Sequence, residues 1–208
     1  MTVRTDAGAS VQPVRQPARL AALSGIAAPA SFITGWVVGG LMAKDYDPLH
    51  DPISRLAHVG APTRPVMTAG LVGFGLIAPL WARTVARLLD EPRLRISVTT
   101  AAVGTLAVAA FPVGGAFGGV PHATAAGVSY LGMAASPLLG GRALSRAGRH
   151  RAAAASYAVG GVSAAALLGS LTGAYDGGLQ RLGLTVVDAW FVALAVRELR
   201  RTARAGQP

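Results

Sequence analysis

The chain has 208 residues, of which 52% are hydrophobic and only 13% are charged, and its mean hydropathy is +0.47. A soluble domain carries about 25% charged residues, so this composition excludes an ordinary soluble protein and indicates a chain that inserts into a membrane. The net charge of +10 would favour nucleic-acid binding in a soluble protein, but the arginines lie between apolar segments, and we expect no nucleic-acid partner.

Residues 1–17 are polar and include Pro13 and Pro17, which indicates a disordered cytoplasmic tail. Six apolar segments follow, at about residues 19–43, 65–88, 94–113, 121–142, 152–173 and 179–196. Each approaches or exceeds the ~20 residues that a helix needs to cross a hydrocarbon layer about 30 Å thick. Because lipid offers no hydrogen-bond partners to the backbone, each segment is predicted to be helical. We therefore expect an all-α bundle of six transmembrane helices over residues 18–198, followed by a basic cytoplasmic tail at residues 199–208.

The basic residues distinguish the two sides of this bundle. Of the nineteen, only Lys44, Arg55, Arg64 and Arg181 fall on one side, and the rest fall on the other. Membrane proteins keep their Lys- and Arg-rich loops in the cytoplasm. We therefore predict a multi-pass protein of the cell (plasma) membrane with both termini cytoplasmic. Anionic lipid head groups are sufficient partners for these arginines.

Glycine patterns suited to close helix packing occur twice. Gly35 and Gly39 form a GxxxG pattern, as do Gly169 and Gly173, and small residues let helices approach closely in lipid. We favour packing within the bundle, because Gly and Ala are abundant throughout the chain. An interface in a homo-oligomer is the alternative.

The longest polar interruption between apolar segments is residues 44–63, named the long loop below. It contains two histidines and three acidic residues, namely His50, His58, Asp45, Asp47 and Asp51. Asp51 followed by Pro52 resembles an N-cap and first-turn proline, and Gly60 resembles a residue that ends a helix. A short helix over residues 52–59 is therefore predicted, with Ser54 and His58 four residues apart on one face.

Three further polar residues on the same side of the membrane are predicted to approach this loop. His122 opens the fourth helix, and Arg181 opens the sixth. Asp188 lies seven residues after Arg181, on roughly the same helical face. A carboxylate within a transmembrane helix is costly, so a functional role is the default hypothesis.

The chain resembles the DUF998 family of multi-spanning membrane proteins from bacteria and archaea. The similar stretches are YDPLHDPISRLAHVG after the first helix, AAFPVGG ending the third, PHATAAGVSY entering the fourth and GGLQRLGL entering the sixth. The resemblance extends over about residues 18–196 and implies membrane insertion but no activity. The family tends to have acidic residues just after FP and within GGLQR, where this chain has Val113, Gly114 and Gln180.

The leading functional hypothesis is a membrane protein that binds a small polar ligand or a lipid head group in a pocket on the outer face. The predicted ligand-binding residues are Asp51, Ser54, Arg55, His58, His122, Arg181 and Asp188. The planar forks of Arg55 and Arg181 suit phosphate or carboxylate oxygens. Whether the protein is an enzyme is left open, and no cofactor is predicted.

Two alternatives belong to other classes. A membrane-embedded, metal-dependent lipid hydrolase would use His58 and His122 as candidate metal ligands or bases, although the sequence has no HExxH, and we commit to no metal. A small transporter would use Asp188 as a proton or ion site. Nucleotide binding has no support, because Walker A and GxGxxG patterns are absent.

Overall fold

The computed structural model describes residues 15–117 and 119–204 of the chain. This part contains no β-strand, and its six α-helices confirm the all-α prediction. Their bounds are α1 Arg15–Met42, α2 Arg64–Leu88, α3 Arg93–Ala110, α4 Gly119–Arg146, α5 His150–Gly169 and α6 Asp176–Arg204, with a short 3-10 helix at Ile53–Ala57. The predicted N-terminal tail lies outside the described residues as far as position 14, and helix begins at Arg15.

The six helices alternate in direction around a ring. Each helix packs against the next in the sequence, and α6 packs back against α1. Along α1, Gly25 approaches Trp81 and Gly35 approaches Gly70, so α1 and α2 are antiparallel. The approaches of Gly104 to Ser129 and of Ala101 to Gly132 show the same for α3 and α4. One end of the bundle, the loop face, therefore carries the long loop and the starts of α4 and α6. The opposite end, the arginine-rich face, carries the start of α1 and the end of α6.

Four of the helices are long and apolar enough to cross a membrane, judged by length and composition. They are Ala18–Met42 within α1, Arg64–Leu88, His150–Gly169 and Asp176–Arg204. Many of their large apolar side chains are exposed, such as Leu41 at 84% and Leu76 at 64%. In water such exposure would be unfavourable, whereas lipid satisfies it. The helices thus support the prediction of a membrane protein in contact with a lipid bilayer.

The first glycine pattern lies in a contact inside the bundle. A Cβ added to Gly70 of α2 would lie 2.9 Å from Cα of Gly35, so the two backbones touch. Gly39 faces Leu56 of the 3-10 helix, whose side chain would lie 3.4 Å from an added Cβ. Gly173, by contrast, lies after the end of α5 and has φ +84°. The second pattern therefore does not lie within one helix.

Helix α6 continues well beyond the predicted end at residue 196. Its last turns include Arg197, Glu198 and Arg201, and both carboxylate oxygens of Glu198 accept hydrogen bonds of 2.8 Å from Arg201. Arginine and glutamate are good helix formers, and this bidentate pair adds local support. The apolar run ends where lipid contact would end. The helix continues beyond that point, because its basic residues still favour helical structure.

On the arginine-rich face, a buried carboxylate connects the α2–α3 turn to α4. Glu91 is only 3% exposed and accepts a hydrogen bond of 2.9 Å from Nη2 of Arg146. The backbone N–H of Arg93 donates to its other oxygen at 3.4 Å. Burial by itself would raise the pKa of Glu91, but the hydrogen bonds and charges of Arg146 and Arg93 outweigh it and hold the pKa below its ordinary value. The ionised form of Glu91 is therefore the one that stabilises the fold.

Replacing Glu91 with glutamine is expected to destabilise the protein at neutral pH and much less in acid. The lost charged hydrogen bond contributes about 1.5–3 kcal/mol. Because folding lowers the pKa of Glu91, this contribution is complete above the unfolded pKa near 4.5 and is lost as the pH falls through the folded pKa. Melting temperatures of wild type and Glu91→Gln in detergent, measured from pH 7 downwards, should converge. A gap that stays constant with pH would contradict this assignment.

Candidate functional site

The acidic side chains of the long loop stabilise the loop itself. Oδ2 of Asp51 accepts a hydrogen bond of 2.8 Å from the backbone N–H of Asp47. Nδ1 of His50 lies 2.7 Å from Oδ2 of Asp47, and this hydrogen bond holds the Asp47 pKa below its usual value. Arg55 pairs with Asp51 and lowers its pKa in the same way. Asp51 and Arg55 therefore already have partners within the loop.

The 3-10 helix is shorter than the helix predicted from the sequence, and it is capped differently. Pro52 occupies the N-cap position, and no side chain caps the helix, because the Asp51 carboxylate binds Asp47 and Arg55 instead. With about three residues per turn, Ile53 and Leu56 lie on one side, where both are buried against the bundle. The short helix thus covers the centre of the loop face.

Ser54 and His58 do not share a helix face, contrary to prediction, because the 3-10 helix ends at Ala57 and His58 follows it in a non-helical conformation. Ser54 lines a cleft beneath the loop. Nδ1 of His58 lies 2.6 Å from the carbonyl oxygen of Val59, and its ring packs against the backbone of Gly114, where an added Cβ would be 2.6 Å from Nε2. His58 therefore holds the α3–α4 turn and lies outside the cleft lining.

Arg181 fastens the long loop to the first turn of α6. Its Nη1 donates hydrogen bonds to the carbonyl oxygens of Pro48 at 2.8 Å, Asp51 at 3.1 Å and Gly177 at 2.9 Å. Gly177 makes this approach feasible, because an added Cβ would collide with the carbonyl oxygens of Pro48 and Asp51. The guanidinium therefore binds backbone carbonyls of its own chain.

Two aromatic rings surround the same guanidinium. Cζ of Arg181 lies 5.4 Å from the ring centroids of both Trp36 and Tyr46, a distance suited to cation–π attraction. Nη2 of Arg181 donates to the Tyr46 hydroxyl, which in turn donates to the carbonyl oxygen of Pro52 at 3.3 Å. Burial raises the pKa of Tyr46 above its ordinary value despite the charge of Arg181. Tyr46 thus remains a neutral donor that extends the hold of Arg181 on the loop.

Gln180 connects the 3-10 helix to α4. Its side-chain oxygen accepts a hydrogen bond of 2.7 Å from the backbone N–H of Ile53, and its Nε2 donates to the hydroxyl of Tyr130. A carboxylate at this position could accept the first bond but could not donate the second. The glutamine therefore suits this bridge.

Beneath the 3-10 helix lies a cleft with a cavity volume of about 50 Å³. It lies between α1, α2, α3, α4 and α6. The deeper walls are apolar and include Phe32, Leu71, Phe74, Met133 and Leu184. The polar lining residues are Ser54, Thr105, His122, Ser129, Tyr130 and Gln180. Among the described residues that line the cleft, none is Asp, Glu, Lys or Arg.

Polarity in the cleft follows depth. Ser54, His122 and Gln180 lie towards the loop face, because they belong to the loop or to the first turn of a helix. Deeper down, Thr105 and Ser129 share a hydrogen bond of 2.9 Å between their hydroxyls, which satisfies both groups locally. The arrangement is a polar mouth above an apolar pocket, as in many small-molecule sites.

His122 is the histidine that faces the cleft. Its Nδ1 lies 2.9 Å from the carbonyl oxygen of Phe111. A carbonyl oxygen only accepts, so Nδ1 carries the proton in the neutral ring and Nε2 keeps a lone pair. The same glycine-rich turn between α3 and α4 is also held by a bond of 3.0 Å from the N–H of Val59 to the carbonyl oxygen of Val113.

Asp188 lies below the cleft, on α6. It is fully buried, and neither of its carboxylate oxygens has a hydrogen-bond partner among the described residues. Gln180, Leu184 and Asp188 are spaced four residues apart, so they follow one face of α6. Leu184 lines the cleft, and Asp188 lies about 6 Å further from the loop face at about 1.5 Å per residue.

The seven predicted ligand-binding residues thus occupy different surroundings. Ser54 and His122 line the cleft, whereas Asp51, Arg55, His58, Arg181 and Asp188 do not. In the described part of the chain, no three His, Asp or Glu side chains are grouped closely enough to hold a metal ion. The structure therefore brings together only part of the predicted set and adds residues that sequence reasoning missed, chiefly Tyr130, Gln180 and Thr105.

Comparison with known proteins yields one match. The sequence model of the family described as "Protein of unknown function (DUF998)" matches residues 26–197. These residues include the helices that surround the cleft, the long loop and Asp188. No curated protein and no solved structure matches the chain.

Proposed function

The chain belongs to the DUF998 family, and from this premise we propose that it is a six-span membrane protein whose cleft binds an uncharged amphipathic molecule. The single observation that carries the proposal is the character of the cleft. Its mouth is polar, its interior is apolar, and none of its described lining residues is Asp, Glu, Lys or Arg. A fatty alcohol represents the class, since it combines one hydroxyl with an apolar chain.

The positive-inside rule supports an orientation with the loop face outside the cell. The arginines in and beside the α2–α3 and α4–α5 turns, such as Arg93 and Arg149, lie on the arginine-rich face. The cleft then opens from the outer side of the plasma membrane, and both termini lie in the cytoplasm. Helices α3 and α4 complete the six spans; α3, only 18 residues long, packs between the longer α2 and α4.

The chemistry of the lining favours an uncharged head group. Neither the Ser54 hydroxyl nor Nε2 of His122 has a hydrogen bond to another described residue. The Ser54 hydroxyl can therefore donate to a ligand oxygen, and Nε2 of His122 can accept from a ligand hydroxyl. Arg181 would be the natural partner of a phosphate, but its Nη atoms bind the long loop. An anionic ligand in this cleft would therefore lack a cationic partner, which is costly in an apolar site.

Photolabelling of protein reconstituted in phosphatidylcholine and phosphatidylglycerol vesicles tests this function. The probe is a dodecanol that carries a diazirine, and mass spectrometry locates the labelled residues. We expect labels on cleft-lining residues of α2 and α4, and competition by dodecanol at about tenfold lower concentration than by dodecyl phosphate, a difference of about 1.4 kcal/mol.

A matched pair of variants on α4 makes the test specific. Ala126→Phe fills the cleft, because Ala126 lines it, and should abolish the competed labelling. Val128→Phe adds the same ring at a position that is 36% exposed on the bundle surface and should label as wild type does. Uniform labelling of lipid-facing residues, unaffected by Ala126→Phe, would refute the proposed function.

A further inference from the structure

A second cavity lies on the loop face, where the glycine-rich turn between α3 and α4 meets the start of α2. Its volume is about 290 Å³, and its lining includes Val59, Arg64, Phe111 and Phe117. It shares no described lining residue with the cleft. The proposed function of the cleft therefore leaves this cavity without a role.

Hydrogen bonds of the backbone hold the walls of this cavity in place. The N–H of Val59 donates to the carbonyl oxygen of Val113 at 3.0 Å and joins the long loop to the turn. Within the turn, the N–H of Gly115 donates to the carbonyl oxygen of Pro112 at 3.1 Å. The cavity is thus formed by the fold itself, and a ligand would not have to order its walls.

Arg64 is the only charged residue among the described residues that line the cavity, and the others are apolar or glycine. It is the first residue of α2, is partly buried, and makes no ion pair with another described residue. On the same face, Arg55 pairs with Asp51, whereas Arg181 donates to carbonyl oxygens. A cation in such apolar surroundings favours an anionic partner, and its planar fork suits phosphate oxygens.

The rim of the cavity is apolar and exposed. Phe117 is 75% exposed, and its ring packs edge-on against Phe111 at 6.1 Å. Val120, in the first turn of α4, is 76% exposed. Lipid chains would cover such side chains, which water does not favour. Because α2 begins and α3 ends here, the cavity lies at the level where the hydrocarbon layer meets the head groups.

We propose that this cavity binds the phosphate head group of an anionic phospholipid, with the guanidinium of Arg64 paired to the phosphate oxygens. Ligand pockets have volumes of about 300–1,000 Å³, so a cavity of about 290 Å³ holds a head group and leaves the acyl chains outside, beside Phe117 and Val120. A free phosphate would use Arg64 but would leave the apolar rim uncovered. The charge and the rim together therefore favour a lipid over a soluble anion.

Photolabelling in detergent micelles tests this site. The probe is a phosphatidylglycerol with a diazirine on one acyl chain next to the head group, and mass spectrometry locates the labels. We expect labels at Phe117 and Val120, reduced about tenfold in Arg64→Gln by the loss of a charged hydrogen bond. Arg55→Gln removes the same charge from the same face, but that arginine already pairs with Asp51, so its labelling should equal that of wild type.

Further variants separate this site from the cleft and from an effect on folding. Ala126→Phe fills the cleft and should leave these labels unchanged, so that the two sites succeed or fail independently. Should Arg64→Gln fail to fold, Ala116→Phe fills the second cavity from an exposed position and should abolish the labels. Absence of labels at the turn in wild type, or labels that persist in Ala116→Phe, would overturn the proposal.

Competition identifies the head group. Unlabelled phosphatidylglycerol should displace the probe at about tenfold lower concentration than phosphatidylcholine, because the described lining offers no acidic partner for the choline cation. Inorganic phosphate should not displace it. Displacement by inorganic phosphate as effective as by phosphatidylglycerol would overturn the assignment to a lipid. Equal displacement by the two lipids would overturn the preference for an anionic head group.

Discussion

Replacing Gly132 with leucine is expected to separate α3 from α4 and to leave little folded protein. Gly132 faces the backbone of α3, where an added Cβ would lie 2.6 Å from the carbonyl oxygen of Ser97. A flexible side chain could move aside, but a helical carbonyl cannot. Overpacking of this kind costs about 1–3 kcal/mol and occasionally more, and the three further carbons of leucine place this variant at about 3 kcal/mol or above.

The expected loss is large because two hydrogen bonds depend on the same helix separation. The hydroxyls of Ser97 and Ser136 lie 3.0 Å apart, and those of Thr105 and Ser129 lie 2.9 Å apart. Both pairs connect α3 to α4 in the buried interior. If the helices move apart to accept the leucine, both bonds between the helices are lost. Ser97, Thr105 and Ser136 keep bonds to carbonyl oxygens of their own helices, whereas Ser129 loses its partner, which adds to the cost.

Size-exclusion chromatography in mild detergent measures this effect as the fraction of monodisperse protein before and after heating. The matched control is Gly127→Leu on the same helix, where no heavy atom lies within 4 Å of an added Cβ. That variant should behave as wild type, or be slightly more stable because glycine is a poor helix former. If both leucine variants were equally folded, the close α3–α4 contact would not exist in the protein.

Replacing Arg181 with alanine is expected to release the long loop from the bundle. The variant loses three hydrogen bonds to backbone carbonyls, one to the Tyr46 hydroxyl, and two cation–π contacts. Hydrogen bonds to charged groups contribute about 1.5–3 kcal/mol each, but water replaces part of them at this half-buried site. A net loss of about 2–3 kcal/mol is expected.

Proteolysis reports this release directly. Proteinase K should cleave the long loop at least about tenfold faster in Arg181→Ala, since each 1.4 kcal/mol changes the open population tenfold. Arg181→Lys should be intermediate, because lysine keeps the charge but lacks the planar fork. Arg55→Ala removes an arginine that is exposed and pairs only with Asp51, and it should cleave at close to the wild-type rate. Equal protection of all four proteins would show that Arg181 does not hold the loop.

The number and order of the helices could be predicted from the sequence because membrane helices satisfy their backbone locally. The length of each apolar run is then enough to identify a helix. Helix α6 continues past its apolar segment, since arginine and glutamate favour helix where lipid contact no longer does. The six-span count and the sidedness remain predictions, as do the limits of the tails.

The candidate site was less accessible to sequence reasoning because it depends on which way each helix faces. The helix ends before His58 and so separates it from Ser54, although a longer α-helix would have aligned them. Tyr130 carries no local signal, since its role arises from contact with Gln180, fifty residues away. Arg181 was correctly placed near the long loop, but its partners are backbone carbonyls, which no sequence pattern reveals.

The long loop and the glycine-rich turn after Phe111 are attached to the bundle differently. Arg181 and Gln180 join the long loop to α6. The turn is held by hydrogen bonds from His122 and Val59, and the ring of His58 packs against Gly114. Because Val59 and His58 belong to the long loop, a change in the position of this loop would be transmitted to the turn.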